Sequence, residues 1–377
     1  SIVNLAARRY IFTAMTKTLP LADFHRENGA VFVERDDWLL PAHFVDIAAE
    51  YRAVRSTAGL MDLSHRGLLQ FTGPDRLAFL QGMLSNDLKL LKPFDGKYAT
   101  LLTQQGKVIA DVRVLCSLNS FYLDFWDSLK AKILDHINRY LVADEVEIAD
   151  RSGEYATLSI QGPRSEALLR QLVGPAELPE QLWHHAMVSI DGAAVCVVSA
   201  SHTGEPGFDL IAPRSSLADL ARRLTDAGKT YFAAVWVGEE AQNILRIEAG
   251  IPRYGVDFSE DNLLLEVGID HAVSFSKGCY LGQEVVERIR SRGHVNKKLC
   301  GLLIDGAEPA HAGDLVQVDG KNAGKITSSV ISPRFGRPVA LAYLHKDFWA
   351  PGTQVFIHSG ESRRSATVSS LPFPAAS

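Results

Sequence analysis

The sequence predicts an α+β fold followed by a separate all-β unit. Up to about residue 295, strand-like and helix-like segments alternate without the regular βαβ rhythm of a doubly wound sheet. Tight turns join several of the strands, as in antiparallel pieces. From about Lys298 helical periodicity disappears, and short apolar runs alternate with Gly, Pro, Asp and Ser turns, the pattern of a small barrel or sandwich. The 377 residues suffice for two or three domains and a substantial core.

Gly67–Gly73 reads as a short strand, and Pro74 opens a helix in which Leu77, Leu80 and Leu84 share a face. Tyr98–Leu102, Val108–Leu115 and Phe121–Phe125 read as strands, the first two joined by a turn at Gln104-Gln105-Gly106. Ser128–Leu141 reads as a helix with Leu129, Ile133, Ile137 and Leu141 aligned. Tyr155–Gln161 is a strand, Arg164–Leu172 a helix, and Val188–Ala200 a hairpin turned at Asp191-Gly192. A strand at Phe208–Ile211 precedes helices over Ser216–Ala227 and Glu239–Ala249, the latter stopped by Gly250. Six short strands follow: Leu299–Ile304, Leu315–Val318, Ala323–Val330, Val339–Leu344, Thr353–Ile357 and Ser365–Val368.

Composition narrows the function. Hydrophobic residues make up 46% and charged residues 22%, as in ordinary globular proteins, and the formal net charge of −5 argues against nucleic acid as the main ligand. No apolar run reaches the length of a membrane span. Of the four cysteines, Cys116, Cys196 and Cys300 sit in apolar, strand-like runs and read as buried, a usage that suits a reducing cytoplasmic setting. No CxxC pair or other metal-ligand spacing occurs, nor a P-loop, a GxGxxG or a GxSxG. Residues 1–14 precede a more ordinary stretch at Met15 and are expected to form a disordered extension.

The fourth cysteine stands in Lys277-Gly278-Cys279-Tyr280-Leu281-Gly282-Gln283-Glu284. Glycines on either side open the backbone around the thiol, and Lys277 is expected to bring a positive charge near it. Arg288, Arg290 and Arg292 follow. On a strand the three would share a face; on a helix only Arg288 and Arg292 would. Such a strip is either a solvated charged face or an anion site.

This eight-residue segment resembles the signature of the YgfZ family, folate-binding proteins that support iron–sulfur enzymes. The chain from about Leu21 is similar to the wider glycine cleavage T-protein superfamily. Matching segments are Ala58-Gly59-Leu60-Met61-Asp62-Leu63-Ser64-His65, Leu84-Ser85-Asn86-Asp87, Thr203-Gly204-Glu205-Pro206-Gly207 and Leu245-Arg246-Ile247-Glu248-Ala249-Gly250. The resemblance implies two mixed α+β lobes around a central folate channel over residues 15–295 and a C-terminal β-barrel over 296–377. It further implies tetrahydrofolate, in a polyglutamylated form if the arginines take the tail, and client iron–sulfur proteins as partners.

By the same resemblance Glu205 is expected to accept pterin N–H donors, and Cys279 to carry the chemistry. Asp111, in a segment similar to the superfamily's G-G-x-[IL]-D-D, is expected to lie near the folate nitrogens; a strand aspartate facing water or pairing with Arg113 is the alternative. Ala110 replaces the first aspartate of that pair, and Glu240 replaces an arginine of the superfamily's G-A-R-D. Arg246 and Glu248 read as charges on a helix surface. The reading that follows is an accessory protein for iron–sulfur cluster assembly, repair or maintenance. The alternative is an aminomethyltransferase or demethylase passing a one-carbon unit to tetrahydrofolate, against which the changes at Ala110 and Glu240 count.

Overall fold

The computed structural model describes residues 16–293, 295–360 and 362–374; the extension expected over residues 1–14 lies outside them. The first lobe is built on a five-stranded antiparallel sheet in the order Gly96–Leu102, Val108–Cys116, Phe121–Trp126, Arg66–Thr72, Glu147–Asp150. Alternation sorts its side chains. Leu69, Phe71, Leu101, Ala110, Val112 and Leu123 face one way and pack against the helices Arg76–Met83 and Lys130–Asn138. Arg66, Leu68, Tyr98, Asp111, Arg113 and Asp124 therefore face the other way.

The second lobe has a six-stranded sheet in the order His185–Ile190, Ala193–Ser199, Gly207–Pro213, Tyr155–Gln161, Gly59–Asp62, Val235–Trp236. Helices Ser165–Val173 and Leu217–Tyr231 cover its outer face through Leu168, Leu169, Leu220 and Leu224. Gly59–Asp62 pairs within this second sheet and the chain then enters the first, so the two lobes exchange strands early. The inner faces of the two sheets meet. One part of that contact is apolar, with Leu68 and Leu115 against Val198 and Ile211. The rest is charged and forms one wall of the candidate site. A further three-stranded sheet near the N-terminus orders Lys17–Thr18, Trp38–His43 and Val31–Arg35.

The last unit is a closed six-stranded barrel, filled by Leu302, Ile304, Val316, Ile326, Leu344 and Val368. It docks on the helix Glu239–Glu248, whose Ile247 packs with Leu299, Val339, Leu341 and Phe373. That helix corrects the expectation of surface charges at Arg246 and Glu248, because both are buried. Arg246 reaches Asp257 at 2.6 Å and Ser328 of the barrel at 3.0 Å; Glu248 accepts from Tyr51, Arg55 and Ser332. Among the described residues no helix is long and apolar enough to cross a membrane.

Candidate functional site

The charged part of the sheet-to-sheet contact is a chain of alternating sign. Arg66 donates to Asp124 at 2.6 Å, Asp124 pairs with Arg113, and Arg113 crosses between the sheets to Asp209. His202 reaches both Asp209 oxygens, at 3.0 and 2.9 Å. Burial works against the Asp209 carboxylate, but His202 and Arg113 outweigh it and hold its pKa far below the usual carboxylate range. Arg113 loses to burial and gains more from its two aspartates, so its pKa rises.

Asp111 stands two residues before Arg113 on the same face of the strand. It does not pair with Arg113. Its Oδ2 accepts from the Tyr98 hydroxyl at 2.8 Å, and its Oδ1 is buried without a partner. Burial pushes its pKa up, against the Tyr98 hydrogen bond and the nearby arginines.

Tyr98 separates Asp111 from a cavity of about 790 Å³. Its ring lies nearly parallel to Trp183 (centroids 5.8 Å apart) and to His271 (5.2 Å), and all three line that cavity. Lys97, Phe275 and Arg290 also line it. The space has the size of a small-molecule site. It offers flat aromatic walls, an unpaired buried acceptor behind one of them and cations at the rim.

The Cys279 loop borders this cavity through Phe275 and Ser276. Lys277 does not serve the thiol. Its buried ammonium donates to the carbonyls of Gln81, Leu84 and Asn86 at 2.7, 2.6 and 2.9 Å, where the helix Arg76–Met83 ends. Burial lowers its pKa to about 8. Cys279 is exposed. Gly282 is needed as glycine: its φ is +84°, and a Cβ there would lie 2.6 Å from the Thr103 carbonyl oxygen. Gly278 has open space around it and is not forced by geometry. Tyr280 is buried, and burial raises its phenol to about 12; Gln283 accepts from its amide.

The arginine strip is helical, Gln283–Arg292, and its members separate. Arg288 pairs with Glu284 in solvent, whereas Arg290 lies 4.5 Å from the Phe275 ring and reaches the cavity. Arg292 ends the helix. Glu205 does not join Asp111. Its carboxylate accepts from Arg55 at 2.7 Å in a separate cavity beside the barrel, with Tyr51, Glu248 and Arg334. Ala110, where the superfamily has the first aspartate, is buried on the helix side of the sheet, away from the site. Glu240 is exposed.

Sequence reasoning missed Tyr98, Trp183, His271, Arg113, Asp124 and Asp209. A signal existed for Arg113: with Asp111 it forms a charged i,i+2 pair within the otherwise apolar run Val108–Cys116. No local pattern marks Trp183 or His271, which reach the cavity from a loop and from the short 3-10 helix Asp270–Ala272.

Residues 21–277 match the GCVT N-terminal domain and residues 297–374 the glycine cleavage T-protein C-terminal barrel domain. The chain is 35% identical over 326 residues to an aminomethyltransferase of Rubrobacter xylanophilus, covering 86% of each protein. It is 34% identical over 369 residues to that of Bacillus licheniformis, covering 95% of this chain and 99% of the relative. The crystal structure of the glycine cleavage system aminomethyltransferase T from Bartonella henselae superposes with a TM-score of 0.87 at 26% identity, over 95% of this chain and 98% of that one. These relatives carry the name aminomethyltransferase, and not that of the YgfZ accessory factors suggested by Lys277–Glu284. The chain belongs to the glycine cleavage T-protein family.

Proposed function

We propose that this protein is a tetrahydrofolate-dependent one-carbon transferase, an aminomethyltransferase in the sense of its named relatives. The carrying observation is Asp111: a carboxylate with a raised pKa and one unpartnered oxygen, a single hydrogen bond behind the wall of an aromatic-lined cavity. Tetrahydrofolate fits these residues. Its ring suits the walls of Tyr98, Trp183 and His271, its N–H groups suit the free oxygen, and its carboxylate tail suits Arg290 at the rim. When bound it supplies the nitrogens that receive the one-carbon unit. Asp111 is placed to hold or move a proton at its Oδ1, and Tyr98 orients it through Oδ2. The absence of the first aspartate no longer counts against transfer, because position 110 faces the helices.

The purified protein should convert an aminomethylated donor and tetrahydrofolate into methylenetetrahydrofolate, one ammonia and the freed, protonated carrier group per donor, the two N–H protons of tetrahydrofolate going to the ammonia and the carrier. Absence of ammonia at enzyme-stoichiometric concentration rejects the transferase. The exposed Cys279, on a loop bordering the same cavity, favours a second reading: a folate-binding accessory protein for iron–sulfur enzymes. That reading requires a deletion strain with depressed iron–sulfur enzyme activities, rescued by wild type and not by Cys279→Ser.

A further inference from the structure

A second cavity, of about 580 Å³, opens beside the first and carries the opposite charge. The two share Gln181 and His184 in their walls. Where the first presents Lys97 and Arg290, the second presents Asp95, Glu177 and Glu180, and no lysine or arginine lines it among the described residues. Glu177 and Glu180 have no ion pair among those residues. Asp95 lies 3.3 Å from His184 Nδ1 and accepts from the Lys92 amide at 2.8 Å, which leaves lone pairs on both oxygens.

Two further residues make more of these carboxylates than a solvated face. His185 lines the cavity, is 7% exposed, and its buried Nδ1 has no partner. Burial lowers its pKa to about 4, so at pH 7 the ring is neutral and one of its nitrogens is an acceptor. Unpaired buried polar atoms are costly and rare, and each calls for an explanation. Phe94 lines the same cavity with its ring centroid 5.7 Å from that of His185, and it stays 40% exposed. Its φ is +78°, the left-handed region that a bulky residue adopts only under strain. Backbone bonds hold it there: the Phe94 amide donates to the Cys116 carbonyl at 2.7 Å, and the Phe94 carbonyl accepts from the His185 amide at 2.8 Å. An aromatic ring kept out of the core, an unpaired acceptor beside it and carboxylates around both suit an organic cation, whose ammonium is drawn to the ring and whose N–H groups the acceptors take. Leu178 and Met187 add apolar wall for a carbon chain. A metal ion matches less well, since among the described residues no group of His, Cys, Asp and Glu is arranged to hold one.

We propose that this second cavity binds an aliphatic diamine. One ammonium sits among Phe94, His185 and Asp95, the other among Glu177 and Glu180, and the methylene chain runs along Leu178 and Met187. Two ammonium groups answer three carboxylates better than one does. The site goes beyond one-carbon transfer and does not depend on the tetrahydrofolate reading.

Calorimetry on the full chain with 1,4-diaminobutane tests the proposal, with 1,4-butanediol and succinate as neutral and anionic probes of similar length. The diamine should bind at least about tenfold more tightly than the diol, the scale of one charge-assisted hydrogen bond, and succinate should not bind. Glu177→Gln combined with Glu180→Gln should weaken the diamine at least about tenfold, and Phe94→Leu about threefold. His185→Phe keeps a ring beside Phe94 and loses the acceptor, and should cost about tenfold. Glu166→Gln removes an exposed carboxylate of the same lobe outside the cavity and should leave the affinity within about twofold. No binding of the diamine, equal affinities for diamine and diol, or a loss in Glu166→Gln as large as in the double variant would overturn the proposal, the last by showing a response to overall charge alone. If His185→Phe does not fold, the glutamate and Phe94 variants still decide.

Discussion

Asp111 and Ala110 are adjacent and meet opposite environments, because a strand turns successive side chains to opposite faces. Asp111→Asn keeps the shape and the acceptor toward Tyr98 but removes the ionisable group. Its transfer rate should fall by roughly 10²–10⁴, the usual weight of a positioned proton carrier, in a single-turnover assay of methylene transfer. The effect on stability has the opposite sign. The folded pKa of Asp111 lies above its ordinary 3.8, so its ionised form is disfavoured in the fold and its contribution is lost as pH rises through the carboxylate range. Urea unfolding at pH 7 should therefore find the asparagine variant as stable as wild type or more so, with the gap narrowing toward pH 4. Lys277 carries a different lesson. Lys277→Met strands three carbonyls at a helix end and should cost about 2–4 kcal/mol in the same unfolding assay. The alkylation rate of Cys279 in the folded protein should not change. The motif made Lys277 conspicuous in the sequence but not its duty, because its acceptors are backbone atoms some 190 residues earlier, which no side-chain pattern announces.

At the scale of elements, local signals served well where period and turn chemistry agreed. The hairpin over residues 96–116 turns at Gly106, whose φ is +74°, and the barrel strands appear where apolar runs and turn residues alternate. Residues 283–292 were ambiguous because an alternating arginine run satisfies both periods only in part. Two glycines decide it: Gly282 enters and Gly293 leaves the helix in left-handed conformations, and the Gly293 amide bonds the Ile289 and Arg290 carbonyls. The helix then separates the arginines. Arg288→Ala removes an exposed i,i+4 pair and should change stability and ligand binding by less than about 0.5 kcal/mol. Arg290→Ala removes a cation at the cavity rim. It should weaken polyglutamylated tetrahydrofolate more than the monoglutamate at low salt, and the difference should close as ionic strength rises. Equal weakening of both forms would assign Arg290 to packing on Phe275.

Across the whole molecule, the site exists because two sheets bury their inner faces against each other, and that pairing joins residues far apart in sequence. The mixed α+β character of the chain up to about residue 295 could be read from its periodicities, its division into two lobes only from the family resemblance, and the barrel from its turns. The contact could not, because Arg113 and Asp209 are separated by 96 positions and each looks locally like a lone charge in an apolar strand. The same separation makes the pair a measure of how firmly the lobes are joined. Asp209→Asn leaves Arg113 with Asp124 alone and removes one ion of a buried pair, which should cost about 3–5 kcal/mol at pH 7. The pH dependence follows from the direction of the shift. The folded pKa of Asp209 lies far below its ordinary 3.8, so its contribution is complete above that value and declines as pH falls below it, by about 1.4 kcal/mol per pH unit. Denaturant midpoints of wild type and Asp209→Asn should therefore stay apart from pH 7 to about pH 4 and converge on further acidification. A gap that persists unchanged to pH 2.5 would mean that the carboxylate charge does not join the lobes, and that shape alone holds the two sheets together.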